Sequence, residues 1–212
     1  MWKRALLPYI KDPESFPIDE VVFHDDNVVI VSDKFPKSEM HLLIIPKDLN
    51  LTKLHPTTGL TYKMKDSLEK YVDKSRDIIY DSFFRKYSLL KSNVWFDEMT
   101  DYNDKETFIE KFIQVGVHSV PSMSNLHIHV MTKDFHSEKM KNKKHYNSFN
   151  TEFFVLWEKL PLQEIPDSKD METVVVGKSD LICTYCGQNF QKKFSLLKKH
   201  LEEEFNDHFT KR

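Results

Sequence analysis

Residues 124–132, SNLHIHVMT, hold His127 and His129 one residue apart inside an apolar run. An imidazole buried without a partner is costly, so the pair calls for a reason. Side chains alternate along an extended strand, which puts Leu126, Ile128 and Val130 on one face and His127, His129 and Met131 on the other. The two rings then project side by side, roughly 6–7 Å apart at their backbones. His118 sits in the preceding strand-like piece, VGVHSV, and would join them across an antiparallel pair turned at Pro121-Ser122. Alone, His118 reads as an ordinary half-exposed strand residue. The alternating pair is harder to explain by packing, because like rings repel when protonated. Two chemistries fit it. A neutral imidazole, with an ordinary pKa of roughly 6.5, is a nucleophile at pH 7. A His-x-His strand also presents two neutral nitrogens to zinc. The spacing does not choose between them.

A second constellation lies near the C-terminus. The only two cysteines, Cys183 and Cys186, flank Thr-Tyr, and His200 follows with Phe194 and Leu197 positioned as a small core. This is the opening of a zinc finger. A redox pair is the competing reading, weakened because no strand-helix redox fold surrounds it. The window for a fourth ligand, three to five residues after His200, holds Glu203, Glu204 and Phe205. Glu204 lies one helical turn beyond His200 on the same face, and a carboxylate is an acceptable zinc ligand. His208 lies two turns on, about 12 Å along the axis, and would ligate only if the helix broke. The expected set is therefore Cys183, Cys186, His200 and Glu204, with one structural zinc ion, since so small a unit rarely folds without its metal. Lys192, Lys193, Lys198 and Lys199 make the finger's helix basic enough to grip backbone phosphate without reading sequence.

The elements that must carry these residues read as follows. VVFHDDNVVIVS, residues 21–32, is two β-branched runs around a hairpin turn. HLLIIP, residues 41–46, is a third strand. From about Thr58 to Ser92 apolar residues recur at helical steps, as they do in residues 104–114 behind a capping Asp104. Strands, a helical block and strands again predict an α+β fold with an antiparallel sheet. The expected organisation is a catalytic domain over 1–160, a connection over 161–177 with Pro161 and Pro166, and a finger over 178–212. Residues 139–149, KMKNKKHYNSF, put Lys143, Lys144 and His145 beside Tyr146 and Phe149, either a solvated loop or a phosphate contact with a ring for stacking. The 212 residues carry a formal charge of −2, so any nucleic-acid contact must come from such local patches. No run approaches the ~20 apolar residues that span a bilayer, and the N-terminus lacks a signal-like run, so an intracellular soluble protein without membrane contact is expected.

Taken together, VHSVPSMSNLHIHVMT resembles the histidine-triad signature, His-φ-His-φ-His-φ-φ, and PKSEMHLLIIP resembles the strand that precedes it in those nucleotide hydrolases. With the basic loop and finger in the same order, nearly the whole chain is similar to the aprataxin family in its fungal form, DNA-repair hydrolases that remove 5′-adenylate. The resemblance implies that His127 is the nucleophile, forming an adenylyl-histidine with no metal required, and that His118 is the general acid. It assigns His129 and His41 to the reacting phosphate, Ser122 and Lys141 to further phosphate contacts, Asp33 to the ribose, and Lys37 to the edge of the nucleotide pocket. It sets Trp2, Lys3 and Arg4 against the DNA end, and fungal members share the Glu204 ligand. Two departures stand out. Asn125, counted with the substrate-binding residues, occupies the first triad position, whose residue in the family orients the nucleophile's neighbourhood, and Glu39 stands where the family often has a basic residue. The implied substrate is nicked or broken DNA with 5′-AMP ends, of any sequence, processed by a monomer that releases AMP in single-strand break repair, with the nucleus as its expected location and the cytoplasm as a second. A small-nucleotide hydrolase acting on diadenosine polyphosphates or adenylyl-lysine is the alternative. A non-enzymatic DNA-binding module with a second metal on the strand histidines is a third reading.

Overall fold

Asp25 turns the first hairpin: one of its carboxylate oxygens accepts the backbone N–H groups of Asn27 and Val28 at 2.8 and 2.9 Å. In the computed structural model, which describes residues 2–212 apart from the side chain of Trp2, this turn joins β1 (Val21–His24) to β2 (Val28–Ser32). The other strands are β3 (His41–Pro46), β4 (Tyr87–Leu89), β5 (Ile113–His118), β6 (Ile128–Thr132), β7 (Phe154–Leu156) and β8 (Phe209–Lys211). One antiparallel sheet has the order β1-β2-β3-β6-β5-β7, while β4 pairs with β8. The register sets His41 opposite Met131, and His129 between Leu43 and Gly116.

The helices that matter to the site are α1 (Leu7–Lys11), α2 (Tyr62–Lys86), α3 (Lys105–Phe112), α4 (Lys143–Asn150) and α5 (Phe194–His208). One face of the sheet, with Ile30, Ile44, Val115, Ile128 and Val130, packs with Leu68, Val72, Ile79 and Phe83 of α2. On the other face Val29, Val31, Leu43 and Ile45 pack with Leu6, Tyr9 and Ile10 around α1. By strand alternation His41 and His129 share this second face with Leu43. A Cβ at Gly116 would lie 2.4 Å from the Val155 carbonyl oxygen and 2.9 Å from the Phe154 ring, so glycine is what lets β7 close beside the histidines.

Three sequence-derived boundaries move. The second helix begins at Tyr62, capped by Thr61, and its expected tail becomes β4. Asp104 does cap α3, accepting the Thr107 N–H at 2.8 Å, but the helix stops at Phe112 because Ile113 and Gln114 pair with Thr132 and Met131. The triad strand starts at Ile128, so His127 lies just before it. Residues 168–176 of the expected connection are helical, and Asn147 donates to the carbonyls of Val176 and Ser179 at 3.1 Å each. The finger is not detached. Leu197, Leu201 and Phe205 of α5, with Phe209, join the same buried cluster as Phe83, Tyr87 and Phe112. No helix among the described residues is long and apolar enough to cross a membrane.

Candidate phosphoryl-transfer site and metal centre

His127 Nδ1 lies 2.8 Å from the backbone carbonyl of Asn125. A carbonyl only accepts, so the proton sits on Nδ1 and the Nε2 lone pair is left unprotonated. The contact uses the main chain of Asn125, which makes it indifferent to the side chain at the first triad position. The side chain does something else: Asn125 Nδ2 donates to Thr52 Oγ1 at 3.3 Å, and the Leu126 N–H donates to the Thr52 carbonyl at 2.7 Å. Thr52, fully buried and unremarkable in the sequence, therefore holds the carbonyl that orients His127.

A second chain of hydrogen bonds fixes the neighbouring rings. The Lys37 backbone N–H donates to His41 Nδ1 at 3.2 Å, which leaves the His41 proton on Nε2 to be donated to His129 Nδ1 at 2.9 Å. His129 must then carry its own proton on Nε2, and that buried atom has no partner among the described residues. Buried His118 Nε2 is likewise unpartnered. The rings lie close, with centroids 4.6 Å apart for His118 and His129 and 4.9 Å for His127 and His129. Phe149 of α4 covers the row edge-on to His41 and His129, at 5.5 and 5.1 Å. A donor without a partner beside a lone pair without a proton suits an anionic phosphate under attack.

Burial holds all four imidazoles neutral. Desolvation lowers His41 to about 4 and His118 to about 3, and it also lowers His127 and His129. The buried Lys37 ammonium adds to the lowering of His41, His118 and His129. An unfolded chain protonates His41 and His118 near pH 6.5, while the folded one keeps them neutral down to about pH 4 and 3, so the folded state loses stability as pH falls through that window; the lowered His127 and His129 act in the same direction. Each ring adds a slope of up to about 1.4 kcal/mol per pH unit. The urea midpoint is expected to drop steadily from pH 7 to pH 5, and less steeply in His118→Phe, by equilibrium unfolding at each pH.

Of the remaining expected residues, Asp33 joins the row: its Oδ2 lies 3.5 Å from His41 Nδ1 and its Oδ1 accepts the Phe35 N–H at 2.8 Å. Lys37 Nζ donates to the Phe35 carbonyl. Asp33, His41 and His129 are near enough to share a cation. Both nitrogens of His41 are already engaged, however, by His129 on one side and by Lys37 and Asp33 on the other. Ser122 is exposed on the β5–β6 loop, and Lys141 is exposed, its N–H donating to His145 Nδ1 at 3.1 Å. His145 is half-buried, Lys144 exposed, and Lys143 Nζ donates to the Gly177 carbonyl at 2.6 Å. Lys3 and Arg4 are exposed in the first turn, which the Ser124 N–H ties to the Lys3 carbonyl at 2.8 Å; the Trp2 side chain lies outside the described residues. A cleft of ≈ 210 Å³ opens against His118 and His127.

Glu39 has its reason in the tertiary structure. Its carboxylate accepts from Lys86 Nζ at 2.7 Å and from His136 Nδ1 at 2.8 Å, and these partners hold it at a pKa of about 2 against the desolvation that would raise it. The His136 ring stacks on Phe205 of α5 at 4.1 Å, which links the loop before His41 to the finger. Asp134 Oδ1 accepts the N–H groups of Glu39 and His136 at 3.0 and 2.8 Å, and burial raises its pKa to about 6. The only sequence signal for this hub was two polar residues, Asp134 and His136, directly after the histidine strand.

The second constellation converges too. Ligand atoms of Cys183, Cys186, His200 and Glu204 all lie within 4.8 Å of one another. His200 Nε2 is 3.2 Å from Cys186 Sγ and 3.1 Å from Glu204 Oε1, while Glu204 Oε2 faces His208 Nε2 at 3.2 Å. Two sulfurs, one imidazole and one carboxylate at this span suit tetrahedral zinc. His208 stands behind Glu204 as its hydrogen-bond partner, with the helix unbroken.

Residues 8–145 match the family described as scavenger mRNA decapping enzyme C-term binding, and residues 150–207 match the C2HE / C2H2 / C2HC zinc-binding finger. An aprataxin-like protein of Saccharomyces cerevisiae is 50% identical over 212 residues, covering 98% of each chain. One from Schizosaccharomyces pombe is 36% identical over 96% of this chain and 81% of its own. The solved structure of an aprataxin ortholog, Hnt3, in complex with DNA superposes with a TM-score of 0.78 at 33% identity, covering 98% of this chain and 96% of that one.

Proposed function

The chain belongs to the aprataxin-like family of histidine-triad proteins with a C-terminal zinc finger, and from that premise we propose that it hydrolyses 5′-adenylated DNA ends, releasing AMP. The observation that carries the reading is the His127 tautomer, with Nδ1–H on the Asn125 carbonyl and Nε2 free to attack. In the first step Nε2 bonds to the adenylate phosphorus and the bridging bond to the DNA 5′-phosphate breaks. The imidazole becomes cationic, and the Asn125 carbonyl stabilises it through the retained Nδ1–H. His129 Nε2–H and the Lys37 charge bind the phosphate oxygens as negative charge builds on them. His118 is neutral in the free site, and the incoming pyrophosphate anion would raise its pKa, so that it arrives protonated and hands its proton to the leaving phosphate oxygen. Water then attacks the same phosphorus, breaks the P–N bond, gives AMP and returns a proton to His118. Asp33 is assigned to the ribose hydroxyls, Ser122 and Lys141 to phosphate, and Lys3, Arg4, Lys144 and His145 to the DNA backbone, work that belongs in the nucleus.

The aprataxin ortholog complex with DNA supports a polymeric substrate over the small-nucleotide alternative. AMP release from a nicked, 5′-adenylated duplex is expected to exceed release from adenylyl-lysine in kcat/KM. The DNA reaction alone should also fall steeply as salt rises, because displaced counterions accompany each phosphate contact. Equal efficiency on both substrates with no salt dependence would return the assignment to a small-nucleotide hydrolase.

A further inference from the structure

A cleft of ≈ 210 Å³ meets His118 and His127 at one end of the histidine row, while Asp33 stands 3.5 Å from His41 at the other. If the nucleoside lies at the Asp33 end, as proposed above, the leaving phosphate departs toward His118 and the chain attached to it enters this cleft. We propose that Lys53 and His55, on the wall of that cleft, bind the first internucleotide phosphate of the departing strand. The inference rests on the adenylated-DNA reading and adds to it the subsite that makes the leaving group a strand.

The chemistry of the wall supports an anion. None of the residues lining the cleft is acidic. Lys53 is exposed and presents an ammonium. His55 receives Thr57 on Nδ1, from its N–H at 3.4 Å and its hydroxyl at 2.8 Å, so the neutral ring keeps its proton on Nε2 as a donor. Leu54, Met123 and Leu126 supply apolar wall beside these donors, the mixture that a sugar-phosphate backbone presents in return. The wall is also fixed relative to the nucleophile. Thr52, next to Lys53, takes hydrogen bonds from the Asn125 side chain and the Leu126 N–H, so the segment carrying Lys53 and His55 is tied to the segment that orients His127. A donor held in register with the attacking atom contributes to positioning as well as to affinity.

The test is a chemical double-mutant cycle. A nicked, 5′-adenylated duplex is compared with the same duplex carrying a neutral methylphosphonate at the first internucleotide linkage of the adenylated strand. In the wild type the methylphosphonate is expected to lower kcat/KM about 10-fold, the scale of a lost charge-assisted contact. In Lys53→Ala/His55→Asn it should cost less than about twofold, since the contact is already gone. Asparagine at 55 keeps an acceptor for the Thr57 N–H, so the turn survives, and Lys53→Ala alone should give an intermediate penalty. Equal penalties in wild type and double variant would overturn the subsite. A wild type that releases no AMP from either duplex would instead overturn the adenylated-DNA reading itself.

Discussion

His127→Ala is expected to release AMP from adenylated DNA about 10⁴-fold more slowly or worse, the scale on which loss of a nucleophile acts. The protein should remain folded, because the ring's one fixed partner is a backbone carbonyl that can find water once the cavity is opened. Acid quenching of the wild-type reaction should trap AMP on His127, and the variant should trap none. Undiminished release by the variant would sink the mechanism. Asn125→Ala supplies the internal control. The triad pattern suggests that this position shapes the nucleophile, but the orienting acceptor is the main-chain carbonyl, and the side chain bonds only Thr52. Its replacement should therefore cost less than about tenfold, through looser positioning of that carbonyl. A loss as large as that of His127→Ala would mean that the amide itself touches the reacting phosphate.

Strand alternation alone places His127 and His129 on one face, and the sheet carries His41 and His118 to the same face from β3 and β5. What alternation does not contain is the proton map. That map follows from the Lys37 N–H, a loop atom four residues from His41, and from the Asn125 carbonyl, both set by where the chain turns rather than by residue type. Glu39 shows the limit more sharply. Its partners, Lys86 and His136, lie 47 and 97 residues away, so nothing local distinguishes it from a solvated acid. The docked finger was hidden for a similar reason: the apolar face of α5 fits a small finger core as well as it fits a shared one, and only the Phe83, Tyr87 and Phe112 cluster tells them apart. The convergence of Cys183, Cys186, His200 and Glu204 was legible because 3.6-residue periodicity fixes the His200–Glu204 spacing.

Because of that shared core, removing zinc is expected to lower the melting temperature of the whole protein by more than about 10 °C, and not merely to unravel the finger. Structural zinc sites in finger peptides bind with roughly 10–16 kcal/mol, and in a chain of this size each kcal/mol lost moves the midpoint about 2–4 °C. Half of that energy passed to the fold, about 5–8 kcal/mol, reaches the threshold even at the smaller of these slopes. The metal-free site is poorly satisfied: burial pushes the Cys183 thiol up to about 12, so four inward donors gather with no cation to join them. When α5 frays, Leu197, Leu201 and Phe205 leave the cluster that also holds Phe83 and Phe112, and His136 loses the ring it stacks on. The Glu39 hub beside His41 then loosens, so AMP release should decline in parallel with the melt. Native metal analysis should give one zinc per chain, Glu204→Ala should lose it, and Glu204→His should keep it, since imidazole replaces carboxylate in the same tetrahedral set. His208→Ala, which removes only the partner of Glu204, should weaken zinc affinity by about 10-fold. A chelated protein, shown to be metal-free, that melts where the holoprotein does would refute the shared-core account.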